Sequence, residues 1–168
     1  MYKLKLKYIE YDENMSPLQR RQREHLVAYE LLSHMLYECF GISDPNILRN
    51  ENGKPYIEND GVNFSLSHTT GLAVCAVADT PIGVDCERIA PKSKEEIQKF
   101  AKRFFVENEI KLLESGDFSP LDFFRVWTAK EATVKKRGTN MSEVKKIDTT
   151  KENVIVSFEN DYIISINI

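Results

Sequence analysis

The chain has 168 residues, of which 42% are hydrophobic, 10% aromatic and 29% charged, with a formal net charge of −3. This balance predicts one folded domain with its own core, and it argues against a general nucleic-acid binder, which usually carries a basic excess. No apolar run is long enough to cross a bilayer, and the three cysteines form no CxxC pair that would indicate a disulfide framework or a zinc site. We expect a cytoplasmic monomer that binds neither membranes nor nucleic acid.

The first half of the chain alternates strand and helix signals. Residues 2–9 alternate apolar residues with lysines, which predicts a strand with one face in water. The segment 16–19, Ser-Pro-Leu-Gln, combines an N-cap, a proline at the first helical position and a capping-box glutamine. It begins a predicted helix that Gly41 ends. A turn at 52–55 then precedes three predicted strands, at 62–66, 72–78 and 82–86.

The second half is richer in helix signals. The segment 93–96, Ser-Lys-Glu-Glu, is a capping box ahead of an amphipathic helix, and a shorter helix is predicted over 107–114. A long helix is predicted over 119–138, between a Ser-Pro start and a glycine. Residues 154–168 are typical of a hairpin. Helices and antiparallel strands in both halves predict an α+β fold.

Two of these elements carry charged residues that share a face. On a strand, Asp85 and Glu87 are two residues apart and point the same way, and on a helix Glu131 and Lys135 are one turn apart. The strand around Asp85 is apolar, so two like charges there would repel each other unless a cation lay between them. Three carboxylates with lysines beside them suit a hard divalent cation that faces a phosphate-bearing substrate.

Each of these residues also has a simpler interpretation. Asp85 and Glu87 taken alone are typical of two solvated side chains on an open strand face. Glu131 with Lys135 is typical of an exposed helix pair that stabilises a helix by about 0.2–0.5 kcal/mol. A single histidine is usually structural, yet His68 follows a strand and begins a turn rich in hydroxyls, where it could share a phosphate oxygen. The residue patterns alone leave these alternatives open.

Four segments together resemble, in order and approximate spacing, the motifs of 4'-phosphopantetheinyl transferases of the surfactin-synthetase-activating type. They are Asn-Gly-Lys-Pro at 52–55, Phe-Ser-Leu-Ser-His at 64–68, Ile-Gly-Val-Asp-Cys-Glu at 82–87 and Trp-Thr-Ala-Lys-Glu-Ala-Thr-Val-Lys at 127–135. The last segment is similar to the W/KEA subgroup. The resemblance implies a single α+β domain of two similar subdomains, approximately 1–84 and 85–168. Pseudo-twofold symmetry would relate them, with the active site in the cleft between them.

The resemblance also implies roles for individual residues. Magnesium would be held by Asp85, Glu87 and Glu131. Phosphates of coenzyme A would be contacted by five side chains, namely Lys54, Ser67, His68, Lys130 and Lys135. Glu131 would act as the catalytic base, directly or through a bound water molecule, and Lys135 would stabilise charge that develops on the bridging oxygen.

The activity implied by the resemblance is a magnesium-dependent transfer. The 4'-phosphopantetheine arm of coenzyme A would move to a serine of an apo acyl or peptidyl carrier protein, with release of 3',5'-ADP. The alternative is a non-catalytic module of the same fold that binds coenzyme A or a carrier protein, and the intact carboxylates and Lys135 argue against it. A purely structural protein would leave these polar groups unexplained.

Overall fold

The computed structural model describes residues 1–58 and 61–168. The elements within these ranges are β1 (Tyr2–Tyr8), α1 (Pro17–Phe40), β2 (Ile47–Arg49), β3 (Pro55–Ile57), β4 (Asn63–Thr69), β5 (Leu72–Ala78), β6 (Gly83–Arg88), α2 (Lys94–Phe104), α3 (Glu107–Ser115), α4 (Pro120–Arg137), two 3-10 helices (Met141–Lys146 and Thr149–Lys151), β7 (Val154–Glu159) and β8 (Tyr162–Asn167). This mixture of helix and antiparallel sheet agrees with the predicted α+β class. None of the described helices combines the length and the apolar character that a membrane crossing requires.

Most predicted elements are present, with some ends shifted. Ser16 caps α1 with the predicted capping box, and Gly41 ends the helix in the left-handed region at a φ of 69°. The second capping box, at Ser93, starts α2. Two predicted strands extend further than the sequence indicates, β4 to Thr69 and β6 to Arg88. The sequence does not predict the short hairpin β2–β3 or the two 3-10 helices.

The described strands form two three-stranded antiparallel sheets beside the short hairpin. The first sheet has the order β1-β5-β4 and the second β6-β8-β7. Alternate residues of β5 face opposite ways: Leu72, Val74 and Ala76 pack against β6 and β8, whereas Cys75 and Val77 pack against α1. The second sheet packs in turn against α4. Burial on both faces explains why β5 is a continuous apolar run.

The two sheets meet where β4 runs beside β6. Side-chain hydroxyls bridge this seam: Ser65 Oγ accepts a hydrogen bond from the amide of Val84 at 3.0 Å, and Ser67 Oγ accepts one from the amide of Cys86 at 3.3 Å. Because buried amides need an acceptor, the two serines let these strand edges lie side by side without a shared backbone ladder. The seam brings the end of β4 next to the acidic residues of β6.

An aromatic cluster fixes α4 against α2. The ring of Phe100 meets Trp127 edge-on with 4.8 Å between centroids, and it meets Phe123 in the same way at 5.1 Å. Trp127 also packs against a small cluster formed by Val134, Val144 and Ile147. These contacts set the rotation of α4 about its axis, and that rotation decides which of its polar residues face β6.

Candidate active site between β6 and α4

β6 and α4 touch directly, and a glycine makes this possible. Gly83 begins β6, and a Cβ atom at this position would collide with the α4 backbone at Ala132 and Lys136. Glycine therefore lets the strand approach the helix backbone closely. Two residues further along β6, the carboxylate of Asp85 reaches Lys135 on α4.

Three carboxylates from these two elements lie together. One oxygen atom of each of Asp85, Glu87 and Glu131 lies within 4.8 Å of the others. Asp85 is 2% exposed, and the other two are half-buried. The structure thus brings together the three residues that the sequence assigns to a divalent cation.

Within the described residues, the ammonium group of Lys135 pairs with this cluster. Its Nζ lies 2.7 Å from Asp85 Oδ1 and donates to Ser67 Oγ at 2.9 Å. Burial opposes the charge of Lys135, but the negative charges of Asp85 and Glu131 outweigh it and raise the pKa of the ammonium group. One ammonium group against three carboxylates leaves the site with excess negative charge.

The pKa values of two carboxyl groups in this cluster are raised. Burial, followed by the charge of Asp85, raises the pKa of Glu131 and likewise of Glu87. Asp85 Oδ2 is buried and has no hydrogen-bond partner among residues 1–58 and 61–168. A divalent cation would satisfy this oxygen and offset the excess charge. Because carboxylate oxygens are the ligands that Mg²⁺ prefers in proteins, the donor set fits such an ion.

Ser67 lies at the edge of the cluster, and its hydroxyl is fully used within the protein. Oγ donates to Asp85 Oδ1 at 2.8 Å and accepts from Lys135 Nζ and from the amide of Cys86. A serine hydroxyl has one proton and two lone pairs, so all of its hydrogen-bonding capacity is engaged. The hydroxyl holds Asp85 and Lys135 in place. Its predicted phosphate contact stays a prediction, and its three partners within the protein argue against it.

Lys130 lies away from the acidic cluster. Its side chain is fully buried, 2.8 Å from the equally buried carboxylate of Glu109 on α3. Its Nζ also donates to the main-chain carbonyls of Val144, at 3.0 Å, and Ile147 at the end of the first 3-10 helix. The predicted contact of Lys130 with a phosphate of coenzyme A stays a prediction, and the complete burial of this side chain argues against it.

Both carboxylate oxygens of Glu109 accept hydrogen bonds within the protein, and the ammonium group of Lys130 likewise donates within it. Its Oε1 accepts from the amide and the hydroxyl of Thr149, at 2.9 and 2.8 Å, and its Oε2 accepts from the amide of Val106 at 3.0 Å. The pair of Glu109 and Lys130 therefore ties α3, α4 and both 3-10 helices together. Its function is structural, because every one of these partners belongs to the protein itself.

Lys54 joins the turn before β3 to the end of α4. Its Nζ donates to the main-chain carbonyls of Lys136 at 3.1 Å and Ile82 at 3.5 Å, and burial lowers its pKa. Lys54 also lines a cavity of about 260 Å³, together with Lys135 and Met141. Its predicted phosphate contact stays a prediction, and the shared cavity is the observation in its favour.

His68 lines a different cavity from Lys54. It lines a cavity of about 690 Å³ together with Arg20, Arg21 and Thr69. The hydroxyl of Thr69 donates to Glu87 at 3.3 Å, so this cavity adjoins the acidic cluster. Each cavity thus includes a residue that contacts the cluster, Lys135 in the cavity beside Lys54 and Thr69 in the cavity beside His68.

Ser65, Thr69 and Glu109 take part in these networks but are not among the site residues predicted from the sequence. Ser65, Ser67 and Thr69 alternate along β4 and share one face, so strand periodicity could have grouped all three hydroxyls. No comparable sequence pattern marks Glu109 as a member of these networks. It lies on another helix, and no local pattern connects it to Lys130.

The segment that contains this site matches a known protein family. A model of the 4'-phosphopantetheinyl transferase superfamily matches residues 81–165, half of the chain. The matched segment contains β6, α4 and the three clustered carboxylates. The chain belongs to this superfamily. The first sheet and α1 precede the matched segment, so the superfamily match rests on the half that carries the acidic cluster.

Curated members of the superfamily are similar to this chain. A protein named 4'-phosphopantetheinyl transferase gsp, from Aneurinibacillus migulanus, is 38% identical over 120 residues, which cover 69% of this chain and 48% of that protein. The 4'-phosphopantetheinyl transferase HetI from Nostoc sp. is 39% identical over 103 residues, covering 57% and 43%. The 4'-phosphopantetheinyl transferase Sfp from Bacillus subtilis is 34% identical over 103 residues, covering 60% and 44%. The chain spans about half the length of these relatives.

Proposed function

We propose that this chain transfers the 4'-phosphopantetheine arm of coenzyme A to a serine of an apo acyl or peptidyl carrier protein, with release of 3',5'-ADP. The observation that carries the proposal is the group of three carboxylates around a buried oxygen that lacks a partner within the described residues. This group lies inside the segment that matches the superfamily. The relatives are named as 4'-phosphopantetheinyl transferases, and their names suggest the reaction type.

Magnesium would be held by Asp85, Glu87 and Glu131. When bound, it would neutralise charge on the pyrophosphate of coenzyme A and orient the leaving group. The protein contributes a preformed set of oxygens, since Ser67 and Lys135 fix Asp85 Oδ1 while Oδ2 has no hydrogen-bond partner among the residues that the structure describes. Pre-positioned ligands lower the cost of ordering a site when the ion arrives.

Glu131 would accept the proton of the carrier serine at a carboxylate oxygen, directly or through a bound water molecule. Burial and the neighbouring carboxylates make Glu131 more basic than an ordinary glutamate. The serine oxygen would form a bond to the phosphorus next to the pantetheine arm. The bond from that phosphorus to the bridging oxygen would break, and its electron pair would leave with 3',5'-ADP. Lys135 would stabilise the charge on this oxygen.

Coenzyme A would lie across the junction of the two halves of the chain. Lys54 and His68 would contact its phosphates from the two cavities described above. Each half, approximately 1–84 and 85–168, contains a long helix packed on a three-stranded antiparallel sheet. This likeness supports two subdomains related by pseudo-twofold symmetry, with the active site in the cleft between them. We further propose that the protein works as a cytoplasmic monomer.

Intact-mass measurement tests the proposed reaction. Apo carrier proteins from fatty-acid, polyketide and peptide synthesis would be incubated with this chain, coenzyme A and magnesium. The expected result is that at least one carrier gains the mass of phosphopantetheine on its serine, and that a serine-to-alanine carrier does not. No transfer to any carrier, while a known transferase modifies the same panel, would contradict the proposal. Coenzyme A binding without transfer would then favour a non-catalytic binding module.

A further inference from the structure

Glu24 is a buried carboxylate on a stretch of α1 whose preceding residues are exposed. It is 9% exposed, whereas Arg20 and Arg21 are open to solvent. Its two oxygens contact two different ring side chains. The hydroxyl of Tyr11 donates to Oε1 at 2.6 Å, and His68 Nδ1 lies 3.4 Å from Oε2. Because a buried carboxylate needs such partners, Glu24 couples Tyr11 to His68.

Tyr11 is held in place from its other side. Its hydroxyl accepts a hydrogen bond from the amide of Gly71 at 2.8 Å. Burial, followed by the hydrogen bond to Glu24, raises the pKa of Tyr11 to about 12, so the hydroxyl stays protonated and donates. Gly71 lies in the turn between β4 and β5, at a φ of 89° that favours glycine. The turn that follows His68 therefore anchors Tyr11, and Tyr11 anchors Glu24.

The charged groups around His68 act in opposite directions. Burial lowers the pKa of His68, and the nearby His25 and Lys135 lower it further. Glu24 acts against these effects, through its charge and its contact with Nδ1. His25 approaches from α1 with its ring nearly parallel to that of His68, at 6.3 Å between centroids. Glu24 is thus the neighbour that favours a protonated imidazole.

The protonation state of His68 decides what it offers to the cavity. With Nδ1 beside Glu24, the other ring nitrogen, Nε2, is left for a ligand. In a neutral ring that carries its proton on Nδ1, Nε2 is an acceptor and would repel an anionic oxygen, whereas in the charged ring both nitrogens donate. Arg20 and Arg21 line the same cavity of about 690 Å³, and arginine is well suited to phosphate. A charged His68 therefore complements this cavity.

We propose that Glu24, anchored by Tyr11, is a positioning residue that orients the imidazole of His68 and presents its Nε2–H to an anionic oxygen of the substrate. This rests on the proposed function, because coenzyme A supplies the phosphate oxygens. Within the described residues, Nδ1 has no aligned hydrogen-bond acceptor, so the 3.4 Å approach to Glu24 is a close contact that becomes an ion pair when the imidazole is protonated. Such contacts often tighten when a ligand binds.

Glu24→Gln tests the proposal because it keeps the side-chain shape and removes the charge. In an NMR titration, the midpoint of the His68 ring is expected to fall by about one pH unit, a tenfold change in its protonation constant. Affinity for 3',5'-ADP is expected to fall about tenfold near pH 7, with the difference closing at acidic pH, where both imidazoles are charged. Glu30→Gln is the matched control, since Glu30 is an exposed residue of the same helix paired with Lys7, and it should change neither quantity.

Tyr11→Phe is the second variant, and it serves also if Glu24→Gln does not fold. It removes the anchoring hydroxyl and should move the His68 midpoint in the same direction by a smaller amount. A His68 midpoint that stays unchanged in the folded variants overturns the proposal. A shifted midpoint with unchanged 3',5'-ADP affinity overturns it too, because the imidazole then does not face the anion. If both quantities shift but the wild-type protein transfers no phosphopantetheine, the proposed function fails and this inference stands.

Discussion

Lys130 and Lys135 lie on the same helix, and each pairs with a carboxylate, yet their surroundings differ. The pair of Lys130 with Glu109, at 2.8 Å, sets one positive charge against one negative charge, and the protein supplies all of its contacts. The pair of Lys135 with Asp85, at 2.7 Å, lies beside two more carboxylates and includes a buried oxygen without a partner in the described chain. Charge balance, more than burial, therefore separates a structural pair from a site that suits a ligand.

The largest effect on stability is expected at the pair of Lys130 and Glu109, whose charges balance each other. Lys130→Ala should destabilise the fold by about 3–5 kcal/mol, because it leaves the carboxylate of Glu109 buried and unpaired. Chemical denaturation measures this free energy of unfolding. Lys111→Ala is the control, since Lys111 forms an exposed pair with Glu107 and its loss should leave the free energy of unfolding nearly unchanged.

The double variant Lys130→Met with Glu109→Leu sharpens the comparison. Replacing both partners of a buried ion pair with apolar residues of similar volume is often neutral or stabilising, so most of the stability lost in Lys130→Ala should return. A double variant as unstable as Lys130→Ala would show that the two 3-10 helices need the hydrogen bonds of this pair and not only its charge balance.

The next largest effect is expected on turnover, at the cluster of three carboxylates beside Lys135. Asp85→Ala should lower turnover by about 10²-fold or more, equivalent to about 2.7 kcal/mol of activation free energy, because it removes a proposed magnesium ligand. The fold should survive, since the change removes one of three like charges. Turnover over a range of magnesium concentrations, with Asp161→Ala as an exposed control, measures this. Near-normal turnover of Asp85→Ala at low magnesium would place the metal elsewhere.

The smallest effect is a gain in stability. The folded-state pKa of Glu131 is raised, so its favourable contribution is complete below the ordinary glutamate pKa of about 4.3 and is lost as pH rises through the raised value. Without metal, Glu131→Gln should therefore be more stable than the wild type near pH 8, by about 1 kcal/mol, with no such gain near pH 4. Thermal unfolding in a chelating buffer measures both. If Glu131→Gln is less stable than the wild type near pH 8, repulsion among the carboxylates does not destabilise the metal-free protein.

Local patterns predict most of the secondary structure and group the acidic cluster. The capping boxes at Ser16 and Ser93 start helices as expected, and the spacing of Asp85 and Glu87 places both on one face of β6. These features depend on neighbours within a few residues, where periodicity and capping decide the outcome. For Glu131, the sequence predicts the shared location but not the degree of burial, which depends on how closely Gly83 lets β6 approach.

The placement of the polar side chains was harder to predict because their partners are distant in sequence. Lys130 and Lys135 are about 140° apart around a helix, so helical geometry alone indicates that they face different surroundings. It does not reveal that Lys130 meets Glu109, since the packing of α3 on α4 brings those residues together. In the same way, the motif around Ser67 does not show that three protein groups already occupy its hydroxyl.

The most direct test of the central claim is a single comparison at Glu131. Turnover and coenzyme A affinity would be measured for the wild type, for Glu131→Gln and for Glu107→Gln, which neutralises an exposed glutamate of α3. We expect Glu131→Gln to lose about 10²-fold or more in turnover while keeping most of its coenzyme A affinity, and Glu107→Gln to change neither. Transfer by Glu131→Gln at the wild-type rate would contradict the proposed role of Glu131, because the acidic cluster would then not be the site of reaction.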